Sequence, residues 1–485
     1  MMVGRLMVWM QVANMLFVRI GGAAGLTMDP STIRWTHGYD FGEEAHPHAG
    51  VQTDDGGFLV VGDGVRYGDD VALKRRIDVL KTDSKGELEW RQSFGSRGYN
   101  YGKFGIQLRD GRYVIAGAMS SGKTLLLERA IFVLNETNGE EESRIVLPND
   151  GANESLRDGF MSVVETSQNG VVIAVGFRGE THTHTQTNSF VSLSSTSLNT
   201  HTHTGGENST TGYDDEPMFL IGGGKVGISV IDLNTMQVLD DMKLDDGDLD
   251  FNAEQGMRVV YDETHDRYAI SHTTSACNGC GFEFGMSLIS IEENMIKVHW
   301  TRQFLADVNA TLTGHESHPY ALTIGNDDST YVIGGLAVIF DENGVEQCQG
   351  RILAVSPDSG DVQFDRRFTS TEKDTNIECY GIQTISRDGG YILTCGTGVE
   401  PELHPKDSDK SKTWRVLVHR TDSLGQKLWE NVYTTNEDLQ NNAGEYIIAT
   451  RDDDGYAIFV DSQTWGPDST GGNFAIMRLD PDHES

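Results

Sequence analysis

Basic residues are what this chain most lacks. Only 38 Lys and Arg stand against 73 Asp and Glu, a formal net charge of -35 over 485 residues. A surface of that sign excludes nucleic acid and anionic membranes, which call for a basic face. It suits a protein that repels its own copies. Long apolar runs are missing as well. The longest, Leu6 to Val18, follows Arg5 and precedes the small residues Gly21 to Gly25. It is too short to cross a bilayer comfortably, and its flanks read as those of a secretory signal covering residues 1–25. An uncleaved anchor and a true start at Met28 are the other readings. No integral membrane domain is expected beyond such an anchor, and a secreted or extracytoplasmic location follows. Sequons at Asn135, Asn153, Asn208 and Asn309 would be glycosylated only in that setting.

Glycine, by contrast, is abundant at 56 residues, as turn-rich chains require. A four-strand unit explains it. In residues 46–95, Ala49–Thr53 leads through Asp54-Asp55-Gly56-Gly57 to Phe58–Gly62. After a loop, Ile77–Lys81 leads through Asp83-Ser84-Lys85-Gly86 to a strand with Trp90, ending Phe94-Gly95. First-hairpin turns recur at Gly56, Gly111, Gly170, Asp266, Ser329, Gly389 and Gly455, a spacing of about 60 residues. The one long gap holds a polar insertion, 178–216, after which Met218–Ile221 and Gly227–Leu233 resume the pattern. Short strands at a fixed period predict an all-β, seven-bladed β-propeller of four-stranded antiparallel blades spanning 31–482. The seventh unit ends at Leu479 without a tryptophan strand, while Ile33–Gly42 carries Trp35 with no unit before it. The N-terminal strand is therefore expected to complete the last blade, so that the ring has no free edge.

The DGG(Y/F) turns, and the D-x-x-G-x-x-x-W pattern around Asp83–Trp90 and Asp422–Trp429, resemble repeats of many secreted microbial propellers. More distantly, they are similar to the tryptophan-bearing repeats of quinoprotein propellers. The resemblance implies a propeller and frequently an exported protein. The matched residues are structural, so it implies little about activity. Quinoprotein dehydrogenases carry adjacent cysteines and a calcium site, and no two cysteines are adjacent here. The Asp turns also resemble those of sialidases, but no arginine triad can be picked out.

Candidate sites are few. His182, His184, His201 and His203 lie in two Thr-His-Thr-His tracts of the insertion. Paired as a hairpin, they would cluster four imidazoles suited to Zn²⁺ or Cu²⁺; read as low complexity, they are a repeat-encoded polar loop. Cys277 and Cys280 form a CxxC, read as a local disulfide in an exported protein or half of a zinc site. Cys379 and Cys395 lie on opposite arms of one hairpin, as a cross-strand disulfide or as two buried thiols, which leaves Cys348 a free thiol. His46-Pro47 and His318-Pro319 occupy equivalent places at the start of innermost strands. With His48 they are candidate ligand contacts at the mouth of the channel, or else simply satisfy loop hydrogen bonds. Acidic turns such as Asp452-Asp453-Asp454 could take Ca²⁺ but lack the spacing of a defined calcium loop. No nucleophile–base or cofactor constellation is recognisable. The expectation is an exported, non-enzymatic propeller that binds a protein or glycan ligand. The alternative is an enzyme, hydrolytic or quinone-dependent, with its site at the channel mouth.

Overall fold

A computed structural model describes residues 28–41, 45–65, 75–96, 98–120, 127–148, 158–179, 224–244, 251–275, 282–306, 316–326, 330–340, 346–370, 375–398, 414–433, 442–451, 453–462 and 473–484. All regular structure among them is strand. Seven antiparallel sheets of four strands form the blades of a β-propeller. Blade one is Ala45–Gln52, Phe58–Val65, Arg75–Thr82 and Leu88–Phe94, paired in that order. Blades two to six repeat it from Asn100, Gly159, Asn252, Glu316 and Asn376. The first strands of successive blades touch one another around the ring, so they are innermost. In blade three the expected strand Met218–Ile221 lies outside the described residues. Gly224–Asp232 is its third strand and Gln237–Lys243 its fourth. That fourth strand has no tryptophan and is polar on an exposed edge, which is why the repeat motif does not reveal it.

Blade seven joins the two ends of the chain. Asn442–Ala449, Tyr456–Ser462 and Asn473–Leu479 are followed by Ile33–Tyr39, which pairs from Ile33↔Leu479 to Tyr39↔Phe474. Beyond it, Met28–Asp29 pairs with His483–Glu484. Around the seam, the Asp480 amide donates to Thr32 O at 2.9 Å, and Tyr433 of blade six donates to Ser31 O at 2.8 Å.

The repeat motifs have local causes. Asp55 Oδ1 accepts from the Gly57 amide at 3.0 Å, closing the turn, while Oδ2 takes Lys81 Nζ at 2.8 Å. Lys81 is only 1 % exposed, and a buried ammonium is tolerable only when its donors are filled. Thr82 O and Glu89 complete its set. Arg420 with Asp388, and Arg478 with Asp453, repeat the arrangement in blades six and seven. The second turn works likewise. Asp83 Oδ1 accepts from the amides of Lys85 and Glu87, and Asp422 from those of Leu424 and Gln426.

The glycine of that second turn is dictated by the next-door aromatic. Gly139 has φ +68°, and a Cβ there would lie 2.4 Å from Trp90 of the preceding blade. Trp35 meets Gly86, Trp300 lies by Gly360, and Phe364 meets Gly425 in the same way. Blades seven, one, four and five thus clasp the next blade, and Trp35 carries the clasp across the chain termini.

Ion pairs reinforce that seam. Arg34 Nε reaches Asp480 at 2.7 Å, and its Nη1 pairs with Asp453, which also holds Arg478. Burial opposes ionisation of Asp453, but hydrogen bonds from Arg34 and Thr450 and the charge of Arg478 outweigh it and hold its carboxyl down at about 2. A depressed carboxyl contributes stability that is full above its unfolded value and lost as pH falls through the folded one. The seam is therefore expected to loosen between about pH 4 and pH 2. Acid titration of the unfolding midpoint should show Arg34→Ala losing less stability over that window than the parent chain; equal slopes would remove Asp453 from the account.

Candidate functional site

Seven innermost strands share one irregularity. In blade one, Pro47 pairs with Gly62 and Ala49 with Val61, so His48 is extra. The same bulge falls at Lys103, Met161, Met257, Tyr380 and Glu445. In blade five, Pro319-Tyr320 together oppose Gly335. Side chains of a regular innermost strand alternate toward the two neighbouring blades. An extra residue breaks that alternation and re-aims a side chain, here toward the ring axis. One residue per blade results: His48, Lys103, Met161, Met257, Tyr320, Tyr380 and Glu445.

Beside this ring the channel is plugged. Arg258, which follows the bulge of blade four, sets its guanidinium 5.0 Å from the Phe104 ring and 5.5 Å from the Tyr446 ring. Those rings meet edge to face at 5.6 Å. They belong to blades two and seven, so three blades that are not all neighbours meet on the axis. Arg258 Nη1 donates to Met161 O at 3.0 Å and Met257 O at 3.3 Å. We refer to the arc of bulged residues beside this stack as the cup.

The cup has two faces. Met161, Met257 and Tyr320 of blades three to five form one apolar cluster, with Tyr380 against it. Tyr320 packs on Tyr380 at 5.0 Å and on His318 at 5.7 Å, the latter stacked. The arc of blades seven, one and two is charged. His48 Nε2 lies 2.5 Å from Asp63 Oδ1 and 2.9 Å from Lys103 Nζ. Arg75 Nη1 donates to Asp63 Oδ2 at 2.6 Å. His46 Nδ1 donates to Asp461 Oδ2 at 2.6 Å, and Tyr380 OH donates to Glu378.

Electrostatics follow from crowding charge in a confined space. Burial, then Lys103, pushes His48 down to about 4. Burial lowers Lys103 to about 8, with Asp63 opposing. Burial works against an ionised Asp63, but Arg75, His48 and Lys103 together hold it well below the carboxylate range. Glu445 goes the other way: burial, then the nearby Asp461, raises it well above its ordinary value. Burial and Glu378 likewise raise the Tyr380 phenol. The arc therefore presents a carboxylate held strongly acidic, one whose ionisation is opposed, and a loosely held ammonium.

The structure places the expected residues as follows. His46 and His48 stand in the charged arc, and His318 stands in the same register of blade five as His46 in blade one, two residues before the extra position. Cys379 and Cys395 face each other across blade six as a disulfide, immediately before the Tyr380 bulge. Cys348 is a free, buried thiol. Of the acidic turn, Asp453 is engaged by Arg34, Arg478 and Thr450 rather than open to calcium. His182, His184, His201, His203, Cys277 and Cys280 lie outside the described residues. Among the described residues, no group of three or more His, Cys, Asp or Glu is placed to hold a metal ion. Sequence reading missed Lys103, Arg258, Tyr320 and Tyr380. Their own strand carries no signal for them, because the bulge is set by the register with the partner strand.

The fold defines a class, the seven-bladed β-propellers, and comparison with known proteins goes no further. No family model matches the chain, and no curated protein matches it in sequence. Solved structures do match in shape. The β-propeller domain of the Trilobed protease from Pyrococcus furiosus is 8% identical, with 92% of this chain and 96% of that one covered and a TM-score of 0.43. An α-L-arabinofuranosidase of Fusarium graminearum in complex with arabinobiose is 9% identical, with 78% and 91% covered and a TM-score of 0.45. The extracellular domain of a one-component system from B. thetaiotaomicron is 9% identical, with a TM-score of 0.42; 94% of this chain is covered, but the chain spans only 40% of that one. With TM-scores below 0.5, these likenesses carry no conclusion about this chain. The structures include enzymes as well as an extracellular domain.

Proposed function

We propose that the chain is an extracytoplasmic binding propeller that takes a carbohydrate into the cup. The two-faced ring of bulged residues carries this reading. A sugar ring is itself two-faced: its C–H surface stacks on aromatic and thioether groups, and its hydroxyls need donors and acceptors around the edge. Tyr320, Tyr380, Met161 and Met257 supply the first; Glu445, Glu378, Lys103 and His46 supply the second. A concave site with an apolar wall and a few convergent polar groups is the usual form of a small-molecule pocket. The stack at Arg258 stands beside the cup. The Cys379–Cys395 disulfide suits an oxidising compartment, in keeping with residues 1–25 as a secretory signal.

One observation favours a second reading, glycoside hydrolysis. Burial and the nearby Asp461 raise the Glu445 carboxyl, the direction of shift a general acid needs. A quinone-dependent oxidoreductase rests on fold resemblance alone.

A glycan array followed by titration calorimetry on the best hit tests the proposal. Tyr380→Ala should weaken binding about tenfold or more, the loss of one stacking wall. Glu445→Gln should weaken binding while raising stability by on the order of 1 kcal/mol, as when a strained functional group is relieved. The sign follows from linkage: a raised carboxyl favours the fold below its unfolded value of 4.5 and loses that contribution as pH rises. The Gln variant should lack that part of the pH slope. Reducing-end release that is lost in Glu445→Gln would convert the binding module into the hydrolase. An array without hits, together with Glu445→Gln behaving as an ordinary destabilising change, would dismiss the cup as a site.

A further inference from the structure

Away from the axis, a cavity of about 370 Å³ opens between the outer strands of blades five and six. Gln349, Arg366, Arg367 and Phe368 line it from blade five, and His419 and Lys427 from blade six. Two cations, Arg366 and Lys427, converge here on a protein whose net charge is -35, while Arg367, on the opposite face of its strand, turns toward blade four. The carboxylates around them are already engaged. Asp365 holds Arg351 at 2.8 Å. Asp422 caps its own turn. Glu430 accepts from His419 Nδ1 at 2.9 Å, with both side chains almost fully buried. Among the described residues, Arg366, Arg367 and Lys427 have no carboxylate partner. Arg366 rests over the Phe364 ring at 6.0 Å, and Arg367 donates to Ala306 O.

His419 makes the groove more than a basic patch. It is 2 % exposed, stacked at 3.6 Å on Phe368, and lines the cavity. Burial keeps the imidazole below its ordinary value, although Glu430 opposes this, so the ring is neutral at pH 7. With Nδ1–H given to Glu430, Nε2 carries the lone pair and is the ring atom left for a ligand. A carboxylate-oriented imidazole acceptor beside two cations matches one chemistry, an oxyanion with a hydroxyl close by.

We propose that this groove binds a tetrahedral oxyanion ester of a hydroxylated molecule, its phosphate or sulfate oxygens held by Arg366 and Lys427 and one hydroxyl donated to His419 Nε2. Guanidinium forks suit such oxyanions. The acidic remainder of the protein is no bar, because charges beyond about 8 Å are largely screened at physiological salt.

Titration calorimetry in about 0.15 M salt, with glucose 6-phosphate, glucose 6-sulfate and glucose as probes, tests it. One or both esters should bind with a Kd of about 1 mM or tighter, and glucose at least tenfold more weakly. Which ester binds identifies the source of the oxyanion. Arg366 and Lys427 are exposed at the groove's rim, so R366A/K427A should keep the parent melting point and lose ester binding at least tenfold. His419→Gln should lose preference for the sugar ester over inorganic phosphate. NMR should show the His419 ring protons shifting on addition of the ester. The proposal fails if neither ester binds at about 10 mM, if R366A/K427A binds as the parent does, or if the His419 resonances stay still while the ester binds.

Discussion

Deleting residues 31–41 should abolish cooperative folding of the whole ring rather than trim one end. The segment supplies the fourth strand of blade seven, and with it three aromatic anchors. Trp35 lies against Gly86 of blade one. Tyr39 is 7% exposed, and its hydroxyl donates to Gly86 O at 2.7 Å. Phe41 is 5% exposed and packs on Phe474 at 4.8 Å. Removing one large buried aromatic costs about 3–5 kcal/mol, so losing three costs on the order of 10 kcal/mol, as much as the entire stability of a typical domain. The loss would also bare the edge of Asn473–Leu479, a strand buried along its whole length, which invites pairing between copies. Thermal unfolding by circular dichroism is the measurement: an aggregated or molten chain is expected. Should the truncated chain resist purification, Trp35→Ala tests the same seam more gently, with a drop of about 3 kcal/mol in denaturant titration. A truncated chain melting with the parent would mean that the ring is not closed through its ends.

That closure was legible because it rests on type and order. A tryptophan strand with no unit ahead of it, and a last unit with no tryptophan strand, are both visible in the residues. The turns were legible for a similar reason. Asp and Gly at fixed offsets answer local demands: the contacts of Asp83 and Asp422 lie within their own hairpins, and those of Asp55 and Asp388 within their own blades. Blade three was less clear, because Gln237–Lys243 is an edge strand whose exposed positions leave its composition free. The cup was only half legible. His46-Pro47 and His318-Pro319 marked the register, but which residue faces the axis depends on where the bulge falls. A bulge is a register relation between two strands, invisible in either strand alone. Lys103 therefore reads as an ordinary strand residue until its partner strand is in view. Arg258 is harder still. Its role depends on Phe104 and Tyr446, which meet it only because the ring brings separated blades to one axis.

Replacing Asp482 should be the most damaging single change away from that axis. Asp482 lies just past the last strand of blade seven, with its side chain wholly buried. Its carboxylate accepts from Arg420 Nε at 3.2 Å, Trp429 Nε1 at 3.2 Å and Tyr456 OH at 2.5 Å, and it pairs with Arg387. Arg420 and Trp429 belong to blade six and Tyr456 to blade seven, so one side chain fastens the aromatic clasp, the buried cation and the central strand of the closing blade. Asp482→Ala leaves a fully buried guanidinium with one of its two carboxylate partners, Asp388, and two further donors without an acceptor. Breaking a buried ion pair from one side costs about 3–5 kcal/mol, and each orphaned neutral donor adds about 1 kcal/mol or more. Asp482→Asn keeps the shape and one acceptor oxygen, so it separates charge from geometry. If charge on Arg420 dominates, Asn should fall almost as far as Ala. If the hydrogen bonds to Trp429 and Tyr456 dominate, Asn should recover more than half of the loss. Denaturant unfolding of the three proteins reads this directly. A loss below about 1 kcal/mol for the Ala variant would show that the seam does not depend on this carboxylate, and that pairing of Ile33–Tyr39 with its neighbour suffices to close the ring.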